Sequence, residues 1–245
     1  MNVEKFYDHY HSHLKVQRRV INENDFTYRS LIYFLKKHSI NKAKILDIGC
    51  GVGTIDFYLA TLKNVVTGID ISQNAISIAK QNTVNLGLWK QLKFQRMNFP
   101  KIVPLDKFNT IICTEILEHI KEDKLAVVKI KNLLLKNGIV IASSPSENSP
   151  LYKLGSLKIF DKEVGHLRRY TEDSFRKLFT DVGLEILELK KTEGILRNFL
   201  FTNSLGGFLL KILNKWPISK IVTFLDNLTI PVFGESDIFL VAKKK

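Results

Sequence analysis

Residues 45–53 read Ile45-Leu46-Asp47-Ile48-Gly49-Cys50-Gly51-Val52-Gly53, a short apolar run holding one acid and then glycine at every second position. Such a run reads as a buried strand, Lys44–Ile48, that breaks into a tight turn. Glycine at a turn permits backbone angles, and a close ligand approach, that a β-carbon would block. A helical pattern, Thr54–Leu62, follows the turn. Strand, glycine turn, helix is the opening of an α/β unit in which a nucleotide-like ligand lies over the carboxyl end of the first strand.

Outward from this stretch, β-rich runs alternate with helical ones, the pattern of a parallel sheet with crossover helices. Val65–Ile69 is a second strand. Ser72 caps a helix that Gly87 ends. Leu92–Met97 is a third strand, and Thr110–Cys113, within Phe108–Thr114, a fourth. Lys121–Lys136 reads as a helix stopped by Gly138, and Ile139–Ser143 as a fifth strand. Thr171 caps a further helix, with Glu172 and Asp173 in its first turn where acids suit the helix dipole; Gly183 ends it. Leu184–Leu189 and Ile238–Lys243 are the last two strands. Before the sheet, Met1–Ala43 reads as helical, with Phe26, Leu31, Ile32, Phe34 and Leu35 on one apolar face.

The four expected segments are an N-terminal helical cap over 1–43, a ligand-binding core over 44–193, an apolar helical insertion over 194–236, and a final strand of the core sheet over 237–245. The chain has 245 residues, ample for a buried core. Two cysteines, Cys50 and Cys113, make no disulfide framework and suit a reducing cytoplasm. Met1–Arg19 is polar and lacks the apolar core of a signal peptide. The longest greasy stretch, Arg197–Lys211, is too short to span a bilayer. The expected location is cytoplasmic, with peripheral contact to a membrane left open. The net charge of +13 has two readings. One is attraction to nucleic acid, anionic lipid or a phosphorylated substrate; the other is a lysine-rich bias spread along the chain.

The nicotinamide fingerprint spaces its glycines G-x-G-x-x-G to serve a pyrophosphate. Here the spacing is G-x-G-x-G and an acid, Asp47, precedes it, which suits the ammonium of a methionine moiety better than a diphosphate. Asp70 ends the second strand, placed to accept hydrogen bonds from both ribose hydroxyls. Asp47-x-Gly49-x-Gly51-x-Gly53 together with Asp70 resembles the class I S-adenosylmethionine-dependent methyltransferases, over about Lys44 to Gly183. The resemblance implies a Rossmann-like, doubly wound seven-stranded sheet with an antiparallel last strand, flanked here by N-terminal helices and by a helical insertion between the last two strands. It also implies S-adenosylmethionine as cofactor. Asp47 would orient the methionine amino group, Gly49 and Gly51 would line its chain, and Asp70 would hold the ribose. Cys50, Gly53, Ile71 and Glu115 complete the expected cofactor set. Where the family often places an acid near the adenine, this chain has Asn98-Phe99. Asn98 can accept from the adenine amine and Phe99 can pack on the ring, or Asn98 is a turn-former before Pro100.

Glu115, Glu118 and His119 follow the fourth strand at spacing i, i+3, i+4, so one helical turn would gather them on one face. With His166 they resemble the ligand set of metal-dependent O-methyltransferases, those of ubiquinone biosynthesis and those acting on the 3′-terminal 2′-hydroxyl of small RNAs, implying a magnesium-like divalent cation. Family members without a metal carry a similar segment. In that case His119 or His166 is the catalytic base, since imidazole titrates near neutral pH. Arg168, Arg169 and Tyr170 beside His166 read as a binder of phosphate or carboxylate, or as a solvated basic turn.

The insertion Gly194–Glu235 includes Phe199-Leu200-Phe201, Leu205–Leu213 and Trp216-Pro217-Ile218, with Pro217 and Pro231 as helix breaks. It reads as a wall of a hydrophobic acceptor pocket, as a surface resting on a bilayer, or as a helical pair packed on the core or forming a dimer contact. Three functions follow: methyl transfer to an oxygen of a small-molecule or lipid-like acceptor; RNA 2′-O-methylation, metal-assisted or not; and a non-catalytic cofactor-binding partner subunit.

Overall fold

The computed structural model describes residues 7–8, 19–202, 206, 209 and 217–245. Most of Met1–Arg19 and of the Leu205–Trp216 stretch therefore lies outside the described residues. In chain order the elements are α1 (Arg29–Lys37), β1 (Lys44–Ile48), α2 (Thr54–Thr61), β2 (Val65–Asp70), α3 (Gln73–Asn85), β3 (Leu92–Arg96) and β4 (Phe108–Thr114). There follow α4 (Asp123–Leu133), β5 (Leu134–Pro145), α5 (Pro150–Lys153), α6 (Lys158–Val164), α7 (Glu172–Thr180), β6 (Glu185–Thr192), α8 (Ile195–Thr202), α9 (Ile218–Phe233) and β7 (Asp237–Lys243).

The strands form one seven-stranded sheet in the order β3-β2-β1-β4-β5-β7-β6. β1 to β5 pair in parallel, and β7 runs antiparallel to both of its neighbours. β1 is buried from Ile45 onward because helices cover both faces of the sheet, as parallel strands require. One core forms with α4 and α7, around Phe108, Ile130 and Phe175. The other forms with α1, α2 and α3, around Phe34, Phe57 and Ile76. The chain order reverses between β1 and β4, so their carboxyl ends open a crevice there.

Local chemistry explains where the elements begin. Ser72 Oγ accepts from Ala75 N at 3.1 Å and caps α3. Thr171 and Ser174 cap α7 reciprocally. The helical expectation for Met1–Ala43 holds only over α1 among residues 19–43. Asp25 Oδ1 accepts from the amides of Thr27 and Tyr28 and so stabilises a turn ahead of the helix.

Two boundaries differ from expectation. The helix expected over Lys121–Lys136 is α4, Asp123–Leu133, and Gly138 does not stop it. Leu134, buried, already pairs with Phe108 of β4, and the register shifts between Phe108 and Thr110. Gly138 lies in this irregular stretch, where a Cβ would sit 2.9 Å from the carbonyl of Leu135 and 3.0 Å from that of Asn109. Pro231 does not break the insertion; it lies inside α9, two residues from its end. Proline forfeits one amide bond but keeps a helical φ, and Gly234 N still donates to Ile230 at 2.9 Å.

Phe34 stacks on Phe239 of β7 at 5.0 Å between ring centroids, and it is fully buried. Phe34→Ala is expected to lower stability by about 3–5 kcal/mol. Urea denaturation measures this, and an unchanged midpoint contradicts the packing described.

Candidate active site

The turn after β1 carries three left-handed glycines, with φ of +79° at Gly49, +53° at Gly51 and +84° at Gly53. The amides of Gly49 and Cys50 donate to the carbonyl of Ile69 at 2.8 and 3.1 Å, which holds the turn against β2. Gly51 N donates to Asp70 Oδ2 at 2.9 Å, and Ser72 N donates to Asp70 Oδ1 at 2.8 Å. A Cβ on Gly49 would meet Ile116 Cδ1 at 1.9 Å, and one on Gly53 would meet Phe94 Cζ at 2.7 Å. Gly49 and Gly53 have no room for a side chain, and the backbone of Gly49 and Gly51 forms the wall.

That wall faces a cavity of about 980 Å³. Of the residues expected to hold a cofactor, Gly49, Gly51, Asp70, Ile71, Asn98, Phe99 and Glu115 line it. Asp47, Cys50 and Gly53 do not. Asp47, expected to meet a ligand's ammonium, is buried beside Asp56. The Asp56 oxygens have no hydrogen-bond partner among the described residues. Burial raises both carboxyls far above the usual range, Asp56 to about 7.

The segment after β4 departs from a helical turn. Glu115 takes a left-handed φ of +56°, and only Leu117–His119 forms a single 3₁₀ turn. Glu115 accepts from Ser143 Oγ at 2.6 Å and lines the same cavity as His119 and His166. The expected four-ligand set is thus reduced. Glu118, His119 and His166 converge, each offering one ligand atom within 4.8 Å of the others, without Glu115. His166 arrives because Leu167 N donates to the Glu118 carbonyl at 2.9 Å, pinning the loop after α6 to the loop after β4.

Hydrogen bonds orient all three side chains. His119 Nδ1 donates to the Gly165 carbonyl at 3.1 Å, a group that only accepts. His166 Nδ1 lies 2.9 Å from Asp161 Oδ1, and hydrogen bonds from His166 and Arg169 help hold that carboxyl low, at about 2, despite its partial burial. With Nδ1 so engaged, Nε2 of each ring is the nitrogen left for a ligand. Burial pushes the His119 imidazole down to about 4, so it is neutral. Glu118 is fully buried; Ser144 Oγ donates to Oε2 at 2.9 Å, and Oε1 has no hydrogen-bond partner among the described residues. A buried carboxylate oxygen left bare next to two imidazoles is a donor set that fits a divalent cation. The bare glycine wall and Asp70 likewise fit a nucleoside ligand.

Arg168 and Arg169 are committed within the chain. Arg168 pairs with Asp123 and donates to the Lys121 carbonyl, while Arg169 donates to both Asp161 oxygens and lies over the Tyr152 ring. Tyr170 is buried with its hydroxyl on Asp123. The reading of this stretch as a phosphate binder is therefore replaced by a structural one. Sequence reasoning missed Asp161, which orients His166, and Tyr7, whose ring meets that of His119 edge-on at 5.7 Å. Only the i, i+5 spacing from Asp161 to His166 hinted at the former; nothing hinted at the latter.

The family described as "Methyltransferase domain" matches residues 40–196. The chain belongs to that family. Its members here are the class I S-adenosylmethionine-dependent methyltransferases, and S-adenosylmethionine is the cofactor. Among curated relatives, the ubiquinone biosynthesis O-methyltransferase of Haemophilus ducreyi is 30% identical over 170 residues, covering 65% of this chain and 71% of that protein. That of Glaesserella parasuis is 32% identical over 125 residues, covering 49% of this chain and 52% of that protein, so the match spans about half of its length. Among solved structures, the magnesium protoporphyrin IX methyltransferase of Synechocystis PCC 6803, with bound SAH, has the same fold. It shows a TM-score of 0.64 at 19% identity, over 100% of this chain and 96% of that one.

The carboxyl pair behind the turn sets a pH response. Folding raises the Asp56 pKa from 3.8 to about 7, so the folded chain keeps a proton that the unfolded chain releases. That stability is fully present below the unfolded value and is lost as pH rises through about 7. The melting temperature of the ligand-free protein is expected to fall across this window, and Asp56→Asn to flatten the dependence. A variant with the wild-type pH profile contradicts the raised Asp56 carboxyl.

Proposed function

We propose that the chain transfers the methyl group of S-adenosylmethionine to an oxygen of a small-molecule or lipid-like acceptor. The observation that carries this reading is that His119 and His166, with the buried Glu118 beside them, line the cavity that Gly49, Gly51 and Asp70 also wall. The names of the O-methyltransferase relatives support it.

In this reading Asp70 accepts from the ribose hydroxyls, Gly49 and Gly51 back the methionine chain, and Ile71, Asn98 and Phe99 hold the adenine. Asp47 acts from behind, keeping the turn in shape. The sulfonium is already activated, so the residues supply proximity, in-line alignment and a place for the acceptor's proton. Glu118, His119 and His166 would hold a divalent cation. Bound there, such an ion supplies Lewis acidity that lowers the pKa of an acceptor hydroxyl. With Glu115 outside the tight group, two imidazoles and one carboxylate suit a zinc- or manganese-like ion better than the magnesium-like one first expected. The Nε2 atoms of His119 and His166 are the proton acceptors of the metal-free alternative.

Apolar side chains, Phe160, Val164 and Phe201, line the same cavity and favour an acceptor with a greasy body. The commitment of Arg168 and Arg169 to aspartates disfavours an RNA acceptor. Position in the cell stays with the expectation of a cytoplasmic protein; among the described residues no helix is long and apolar enough to cross a membrane.

Asp70→Ala is expected to weaken binding of S-adenosylhomocysteine about tenfold to a hundredfold, the loss of charge-assisted hydrogen bonds. Calorimetry reads this, and unchanged affinity removes Asp70 from the cofactor site. For the chemistry, excess chelator and Glu118→Gln are each expected to abolish turnover of a phenolic acceptor while leaving that binding intact. Full turnover in chelator rejects the cation, and moves the proton-accepting role to the histidines alone.

A further inference from the structure

The insertion helix α9 is turned inside out. Its polar residues face the protein: Ser219 and Asp226 are both fully buried. Arg29 donates to the Ser219 carbonyl at 2.9 Å, to Ser219 Oγ at 2.9 Å and to Thr223 Oγ1 at 2.7 Å. Asp226 accepts from Gly194 N at 2.8 Å and Arg197 N at 3.0 Å. These bonds fix the rotation of the helix, so its apolar residues point out. Ile221, Phe224, Leu228 and Val232 form a stripe at helical spacing, exposed by 56, 63, 58 and 74%. Solvent-facing helices ordinarily show the reverse arrangement.

We propose that this outward face of α9 docks on the surface of an anionic phospholipid bilayer. The charge argues for that occupant. Asp226, the one acid in α9, is buried inward, and the exposed charge on the helix is Lys220. The whole chain carries +13, which attracts an anionic surface and repels a second copy of itself. At 16 residues the helix is too short to span, yet long enough to lie in the interface with its apolar side down. The neighbourhood continues the pattern. α9 packs on α8, which lines the cavity through Asn198, Phe201 and Thr202. On α6, Phe160 and Val164 line the cavity while Ile159 is exposed between Lys158 and Lys162. The elements that wall the cavity thus also carry the greasy and basic exterior, which would bring its opening close to the lipid. The inference extends the reading of a lipid-like acceptor, but vesicle binding needs no acceptor, so the two fail separately.

The test is sedimentation of the full chain with vesicles of phosphatidylcholine, with and without phosphatidylglycerol. The wild type is expected to sediment with the anionic vesicles, and less so as salt is raised. Replacing Phe224→Ser and Leu228→Ser together is expected to weaken this about tenfold or more, from lost apolar burial. Both positions are exposed, so circular dichroism and S-adenosylhomocysteine binding should be unchanged in the double variant. A wild type that stays in solution with both kinds of vesicle overturns the proposal, and so does a double variant that sediments equally. A self-association seen by sedimentation velocity, abolished by the double variant in a protein that ignores vesicles, also overturns it and gives the face to a second copy.

Discussion

Two backbone amides from two different turns, those of Gly51 and Ser72, donate to the two oxygens of a single carboxylate, Asp70. This junction ties the end of β1 to the end of β2, beside the crevice between β1 and β4. The glycine turn bends there because the Ile69 carbonyl also takes two of its amides. The cavity exists because the turn, so held, leaves its backbone as a wall. Charge-assisted hydrogen bonds of this kind are stronger than neutral ones, and they orient the carboxylate toward the place where a nucleoside would lie. Everything on the chemical side of the cavity is arranged relative to that fixed edge.

The order of strands and helices was largely legible because it rests on short-range chemistry. Ser72 and Thr171 announce helix starts through their own hydroxyls, and the apolar runs of β1 and β4 announce burial on both faces. What failed to show was set by long-range pairing. Nothing near Leu134 says that it joins Phe108 in a ladder instead of ending a helix. Pro231 signals a break, yet the surrounding turn tolerates one missing bond.

The site shows the same division. Glycines and Asp70 were visible because their spacing is the function of the turn. Glu115 was misplaced because i, i+3, i+4 counting assumes helical backbone, and its left-handed φ removes that assumption. Asp47 was visible as an acid before glycines but not as half of a buried pair, since Asp56 looks like an ordinary first-turn acid of α2. Asp161 is the clearest case of information stored in three dimensions: it fixes the tautomer of His166 while neutralising Arg169.

β6 and β7 are antiparallel neighbours, and their ladder ends with Thr192 opposite Asp237. In topological terms they are one hairpin whose tip has been swollen into residues 193–236. Both stems of that tip leave the sheet at adjacent points, so its contents can lengthen, shorten or be exchanged with little effect on the strands, because closure entropy grows only slowly with loop length. Evolution can therefore retune what enters the cavity by editing one detachable module, leaving the nucleoside end of the molecule untouched.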